Sequence, residues 1–321
     1  MQLVLDTHGL KISVQKGTFL VEGEGGKRRI SPRMIDSIAV HAHVLLSSAV
    51  VELAIASNIP LLFFDGIGNP LGRTWSLRFE SHPLIRRNQV LFERDLEKAQ
   101  PWIIGLYKLK TQRQLANLKD CKTESLRERE QVEQWMNQLD SIKLKPGDDF
   151  EAVVMGLEGA AAKAYWKALS DMMPAPFTFD GRSRQPALDH FNCLLNYGYG
   201  MLYNTVEGAI FSAGLDPYLG IVHRDNYNRP SLTFDLIEPF RPWVDNMVAD
   251  LCLNGLVSPS SFDPVEGGGW TLNKPGKQIV IPAFHACMNE KIELYRRTMT
   301  RKNHIYQYAG EFASMLKDLK F

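Results

Sequence analysis

Cysteine is scarce in this sequence. Cys121, Cys193, Cys252 and Cys287 are the four present, widely spaced and with no C-x-x-C pair. That argues against a disulfide framework or a structural zinc site and predicts a reducing compartment. Long apolar runs are missing too. No stretch of about 18 apolar residues occurs, so no transmembrane helix is predicted. The start, MQLVLDTHGLKISV, has neither the basic opening nor the apolar run of a signal peptide, and a cytoplasmic protein without membrane contact is expected. Charge of one sign is also lacking: Lys+Arg is 37 and Asp+Glu is 36, a net charge of +1. This excludes a uniformly basic nucleic-acid coat and an acidic tail protein, although not local basic patches. No internal repeat or low-complexity tract interrupts the chain.

What is present is an ordinary globular composition: 321 residues, 45% hydrophobic and 23% charged, enough for one large or two medium domains. The first part is strand-like. Runs at 2–5, 10–14, 18–22 and 36–41 are separated by GEGGK (23–27) and Ser31-Pro32. Ser47 and Ser48 are expected to cap a helix over AVVELAIAS, followed by strands at 59–64 and 70–79. From about residue 86 the apolar spacing becomes three and four, which predicts helices. Pro101 is expected to start the second of them, a charged helix (124–139) follows, and KLKPGDD (143–149) reads as a loop. Further helices are predicted over 150–169, 186–213, 231–254 and 283–318, with a hairpin turning at Pro275-Gly276. The fold class is α+β: a small N-terminal β-sandwich-like domain over 1–82, then a larger all-α domain over 83–321.

Three places hold acids and an imidazole that do not read as core. Glu158 borders the stripe Val154, Leu157, Ala161, Tyr165, Ala168, between Gly156 and Gly159. A glycine inside a helix costs about 1 kcal/mol against alanine, so the pair implies a close approach by backbone, metal or phosphate. The plainer reading is a rim glutamate paired with a lysine, with glycines for helix contact. His223 lies in a loop marked by Pro217, Gly220 and Pro230, where a surface histidine is the plainer reading. Asp235 and Glu238 share one face of the next helix, which Pro239 and Pro242 make irregular; a polar helix start is the alternative. Together Glu158, His223 and Glu238, with Asp235 nearby, form a candidate carboxylate–imidazole site. Hard and borderline donors without cysteine suit Mg²⁺ or Mn²⁺, the ions of phosphoryl-transfer chemistry.

At these residues the sequence resembles the CRISPR-associated protein one family. The match is carried by GLEGAAAKAYWKAL (156–169), LLNYGYGMLY (194–203), GLDPYLGIVH (214–223) and RPSLTFDLIEPFRP (229–242). KTQRQLANL (110–118), with Gln112 and Arg113, and IPLLFFDGIGNPLG also fit. The resemblance implies a dimerising β-rich domain joined to a helical catalytic domain, with Glu158, His223 and Glu238 as catalytic metal ligands. It puts Asp235 and Tyr165 close to the site; a core role is the plainer reading of Tyr165. It implies an endonuclease and integrase that joins 3′-hydroxyl ends of captured DNA to a CRISPR repeat by transesterification. Implied partners are double-stranded and branched DNA, a second copy of the chain and CRISPR-associated protein two. The alternatives are a repair nuclease or transposon integrase of the same fold, and a DNA-binding scaffold without chemistry.

Phosphate contacts are expected from Arg182, Arg184, Arg224, Arg229, Arg241, Arg296 and Arg297. Arg241 has a competing assignment as partner of Glu238 or Asp245. The near-zero net charge then becomes the sum of an acidic pocket and arginine-rich loops.

Overall fold

The computed structural model describes residues 2–35, 37–65, 70–74, 83–119, 125–139, 142, 150–223 and 229–320. Asp36, Cys121, Arg224, the loop expected at 143–149 and residues 75–79 of an expected strand lie outside them. The chain divides into two compact units, Met1–Glu80 and Ser81–Phe321. Among the described residues no helix is long and apolar enough to cross a membrane.

The first unit is built on two four-stranded sheets. Strands β1 (Gln2–Leu5), β2 (Lys11–Gln15), β3 (Thr18–Gly23), β4 (Gly26–Ile30), β5 (Ser37–Val40) and β6 (Leu45–Leu46) precede helix α1 (Ser48–Ala56); β7 (Leu61–Phe64) and β8 (Pro70–Arg73) follow it. One sheet has the order β1-β5-β7-β8, parallel but for its last pair. The other is β4-β3-β2-β6, antiparallel but for β2 with β6. Lys16 and Gly17 turn β2 into β3 at φ of 50° and 69°, the left-handed pair that a two-residue hairpin demands. The apolar runs supply the core: Leu5, Ile12, Phe19, Ile38, Val50 and Leu61 are buried. Strand β4 has no such run, since its first four residues are exposed and only Ile30 is buried. It is a strand because it pairs with β3 from Ile30 opposite Phe19 to Gly26 opposite Gly23, so GEGGK is turn and strand start rather than a separator. Ser47 is the N-cap of α1, but its side chain makes no capping bond.

The second unit is helical around one core. It comprises α2 (Pro83–Arg94), α3 (Leu96–Asn117), α4 (Leu126–Leu139), α5 (Phe150–Met172), α6 (His190–Ser212), α7 (Ser231–Ile237) and α8 (Arg241–Leu253). Two small ribbons interleave with the last helices: β9 (Phe262–Pro264) with β10 (Trp270–Leu272), then α9 (Lys274–Asn289), then β11 (Lys291–Leu294) with β12 (Arg297–Thr300), then α10 (Arg301–Asp318).

Three expectations are corrected here. Pro101 lies inside α3, which starts earlier because the Asp95 carboxylate accepts the Lys98 N–H at 3.2 Å and caps it. Pro275 and Gly276 are not a hairpin turn but the first turn of α9, capped by Asn273, which accepts the Gly276 N–H at 3.0 Å; proline is tolerated there because the first N–H groups of a helix have no partner anyway. The single helix expected over 283–318 is broken by the β11–β12 ribbon, whose turn residues Tyr295 and Arg296 have φ of 52° and 63°. No glycine or asparagine marks that turn, so the pattern hides it.

Candidate active site

Asp235 organises the histidine loop. It is buried on α7, and its carboxylate accepts the backbone N–H groups of Ile221 (2.6 Å), Val222 (3.1 Å) and His223 (3.0 Å). The His223 ring adds a fourth bond, Nδ1 to Asp235 Oδ1 at 2.6 Å. A carboxylate only accepts, so Nδ1 carries a hydrogen, and in the neutral ring Nε2 then keeps its lone pair. Burial works against a charged His223, but the hydrogen bond and charge of Asp235 outweigh it and raise its pKa. Gly220 makes this packing possible: a Cβ there would lie 2.5 Å from the His223 carbonyl oxygen and 2.6 Å from Ser231 Cβ.

Glu158 on α5 and Glu238, in the 3₁₀ turn Glu238–Phe240 after α7, converge on one cation. Lys110 Nζ, projecting from α3, lies 2.5 Å from Glu158 Oε1 and 2.6 Å from Glu238 Oε2. The other Glu238 oxygen accepts from Arg241 Nε at 2.7 Å. Burial pushes the Glu238 carboxyl up, yet Arg241 and Lys110 overcome it and hold it at about 2. Lys110 is 8% exposed; burial opposes its charge, but the two carboxylates raise its pKa above the ordinary lysine value.

Lys110, Glu158, His223, Glu238 and Arg241 line one cleft of about 670 Å³, with Arg182 and Arg184 on its wall, while Asp235 is buried behind His223. The described residues contain no set of three His, Cys, Asp or Glu side chains already closed on a metal position. Instead Glu158 and Glu238 meet at Lys110, His223 meets Asp235, and His223 faces the same cleft as the two glutamates. Gly156 and Gly159 have nothing within 4 Å of where a Cβ would stand, so they do not serve helix contact; Gly159 lines the cleft.

Tyr165 is fully buried and does not reach the cleft. Its hydroxyl donates to Asp245 Oδ2 at 2.9 Å and accepts from Asn117 at 3.1 Å. Tyr199 does line the cleft, with Tyr107, Trp166 and Phe179, and donates to Asp245 Oδ1 at 2.5 Å. The guanidinium of Arg182 lies 5.4 Å from the Tyr199 ring and that of Arg241 lies 4.7 Å from it. Arg182 is also held by Asn192 and by Asn196 at 2.9 Å, so it is built into the wall. Arg241 takes its competing assignment and pairs with Glu238. Arg184 and Arg229 are exposed, the latter over Phe234 at 4.5 Å. Arg296 and Arg297 belong to the β11–β12 ribbon and do not line the cleft; Arg297 faces Glu311 at 3.5 Å.

Sequence reasoning missed Lys110, Tyr199 and the supporting role of Asp245. For Lys110 a signal exists: it continues the buried face Ile103, Leu106, Tyr107 and Gln114 of α3. A lysine on such a face needs a buried partner. Arg113, singled out within KTQRQLANL, donates to the Pro239 carbonyl at 2.6 Å and stacks on Trp243 at 4.2 Å. Burial lowers its pKa to about 10, and the contact ties α3 to the Glu238 turn.

Comparison with known proteins gives this arrangement its context. The model of the family "CRISPR associated protein Cas1" matches residues 3–286. The CRISPR-associated endonuclease Cas1 1 of Archaeoglobus fulgidus is 28% identical, covering 99% of this chain and 96% of that protein. A CRISPR-associated endonuclease Cas1 1 of Pyrobaculum aerophilum is 34% identical over 78% of this chain and 82% of its own length. Among solved structures, a Cas1 protein from Thermotoga maritima superposes with TM-score 0.81 at 22% identity, covering 100% of this chain and 98% of that one. A casposase bound to integration product gives TM-score 0.82 at 23% identity, covering 99% and 91%. One chain of a Cas6-RT-Cas1–Cas2 complex gives 0.78 at 18%, covering 100% of this chain and 36% of that one. The fold and its relatives define the class: a CRISPR-associated endonuclease. The chain belongs to the CRISPR associated protein Cas1 family.

Proposed function

We propose that Glu158, Glu238 and Nε2 of His223 hold a divalent ion, Mg²⁺ or Mn²⁺, and that the cleft joins the 3′-hydroxyl of a captured DNA to a phosphodiester at a CRISPR repeat. The residues fit such an ion. Oxygen and imidazole donors without thiolate are the set that hard cations accept, and two of the carboxylates already converge on a cation, the Lys110 ammonium. When bound, the ion supplies charge for the phosphoryl oxygens and acidifies the attacking hydroxyl. The protein does the rest. Asp235 fixes the tautomer and direction of His223, and Arg241 fixes Glu238. Arg182 and Arg184 on the wall, with Arg229, hold DNA phosphates in line, and the open flank of Gly156 and Gly159 leaves room for the backbone. One P–O bond forms to the incoming 3′-oxygen as another breaks, so the number of phosphodiesters is conserved and no energy source is needed. With water as nucleophile the same site nicks DNA.

We further assign dimerisation to the N-terminal unit and a complex with the small CRISPR-associated protein two, in line with the Cas1–Cas2 assembly among the fold neighbours. The observation that carries the reading is the convergence of Glu158, Glu238 and an Asp235-clamped His223 on one arginine-walled cleft. Strand transfer into a supercoiled repeat-bearing plasmid, with the partner protein and Mn²⁺, tests it. Chelation, Glu158→Ala and His223→Ala should each lower the rate by at least about 10²-fold; full activity in either variant overturns the ligand set.

A further inference from the structure

We propose that Lys110 is a tethered counter-ion which neutralises Glu158 and Glu238 in the metal-free protein and which a divalent ion must displace. The inference rests on the metal-site reading above. Lys110 is a built position rather than a surface lysine. It is 8% exposed, on a helix locked to the Glu238 turn by the Arg113–Pro239 bond. Its ammonium bridges the two carboxylates at 2.5 and 2.6 Å. Two carboxylates brought together from α5 and the turn after α7 repel unless a cation lies between them, and a buried charge is costly unless paired. The ammonium therefore stands where an ion shared by both carboxylates would have to bind.

The neighbouring charges do not relieve this competition. Arg241 sits on the opposite oxygen of Glu238, and Nδ1 of His223 is committed to Asp235. A divalent ion at the shared position repels the ammonium at close range, so Lys110 swings out. The cleft beside it has the room, and a lysine has the flexible stem and single point charge for the move, which a forked guanidinium lacks. The displaced ammonium then faces the space assigned to phosphate. The metal-free enzyme is thus kept folded without ligand, and its metal affinity is set below what the carboxylates alone would give.

The test uses the full chain with Mn²⁺ alone as probe, and free Mn²⁺ read by electron paramagnetic resonance. Wild type is compared with Lys110→Met and Lys110→Gln, each with and without Glu158→Ala. Displacement predicts that Mn²⁺ binds at least about fivefold more tightly once the lysine is neutral, the lower end of ordinary coupling. It also predicts that Mn²⁺ raises the melting temperature more in the variants than in wild type. A purely supportive lysine gives the opposite sign, so equal or weaker Mn²⁺ affinity in both variants overturns the proposal while Glu158-dependent binding in wild type leaves the metal site standing. Absence of Glu158-dependent binding in every protein overturns the metal site and the proposal together. If neither variant folds, reductive methylation of wild-type Lys110, followed by mass spectrometry, takes over. Mn²⁺ should increase its labelling, and no increase overturns displacement.

Discussion

Two buried aspartates, Asp235 and Asp245, show how differently one residue type is used. Asp235 receives three backbone N–H groups and an imidazole, so it anchors the histidine loop electrostatically. Asp245 receives two tyrosine hydroxyls, from Tyr165 and Tyr199. Burial raises its pKa to about 6 even though those bonds pull it down. The folded carboxyl therefore holds its proton more tightly than the unfolded one, whose ordinary value is 3.8. Stability is greatest while both states are protonated, falls as pH rises between those two values, and stays low above them. The loss amounts to roughly 3 kcal/mol. Asp245→Asn cannot titrate, so its urea-unfolding free energy should be flatter than wild type between about pH 4 and 6. A wild-type slope in the variant would show that the dependence arises elsewhere. In the sequence Asp245 is one acid on an amphipathic helix; its environment comes from α5 and α6, which no local pattern reveals.

At the scale of elements, the site depends on an interruption. Pro239 and Pro242 predict an irregular helix, and the structure resolves it as α7, the 3₁₀ turn Glu238–Phe240, and α8. That break aims Glu238 at Lys110 while Asp235, one turn earlier, faces the histidine loop. Gly220 is the second requirement. Gly220→Ala should force the loop off α7, destabilise the protein by about 1–3 kcal/mol as overpacking does, and reduce strand transfer. Denaturant unfolding and the plasmid assay check the two effects; wild-type behaviour in both would refute the close-packing account. Elements with their own apolar period, such as α3 to α6, were legible in the sequence. The strand β4 and the β11–β12 ribbon were not, because their form comes from pairing rather than pattern.

Over the whole molecule the net charge of +1 conceals opposite local designs. Glu158 and Glu238 are compensated inside the site by Lys110 and Arg241, and Asp235 is satisfied by hydrogen bonds, so Arg184 on the wall is left exposed and, on the proposed reading, is a cation for phosphate. Binding to a branched DNA should therefore weaken steeply with salt. Arg184→Ala should reduce the slope of log affinity against log salt by about one, whereas Arg297→Ala, on the ribbon opposite Glu311, should leave it unchanged. Fluorescence anisotropy across a salt series separates these outcomes; an equal slope change in both variants would place the DNA path on the ribbon as well.

The sequence by itself determined the α+β class, the order of a strand-rich part before a helical part, and the candidate residues Glu158, His223, Asp235 and Glu238. Apolar periodicity is a local property of the chain, and acids or imidazoles that break it stand out without coordinates. Only the tertiary structure decided the division of labour among them. It turned Asp235 toward His223 and Arg241 toward Glu238, and it set Lys110 between two carboxylates. It also moved Tyr165 into the core, leaving Tyr199 at the cleft. The Lys110, Tyr165 and Tyr199 contacts join elements far apart in the chain, and even the nearer pairs depend on how the loop and the broken helix pack. Their energies depend on burial and on distances of a few ångströms, quantities that exist only once the helices have packed.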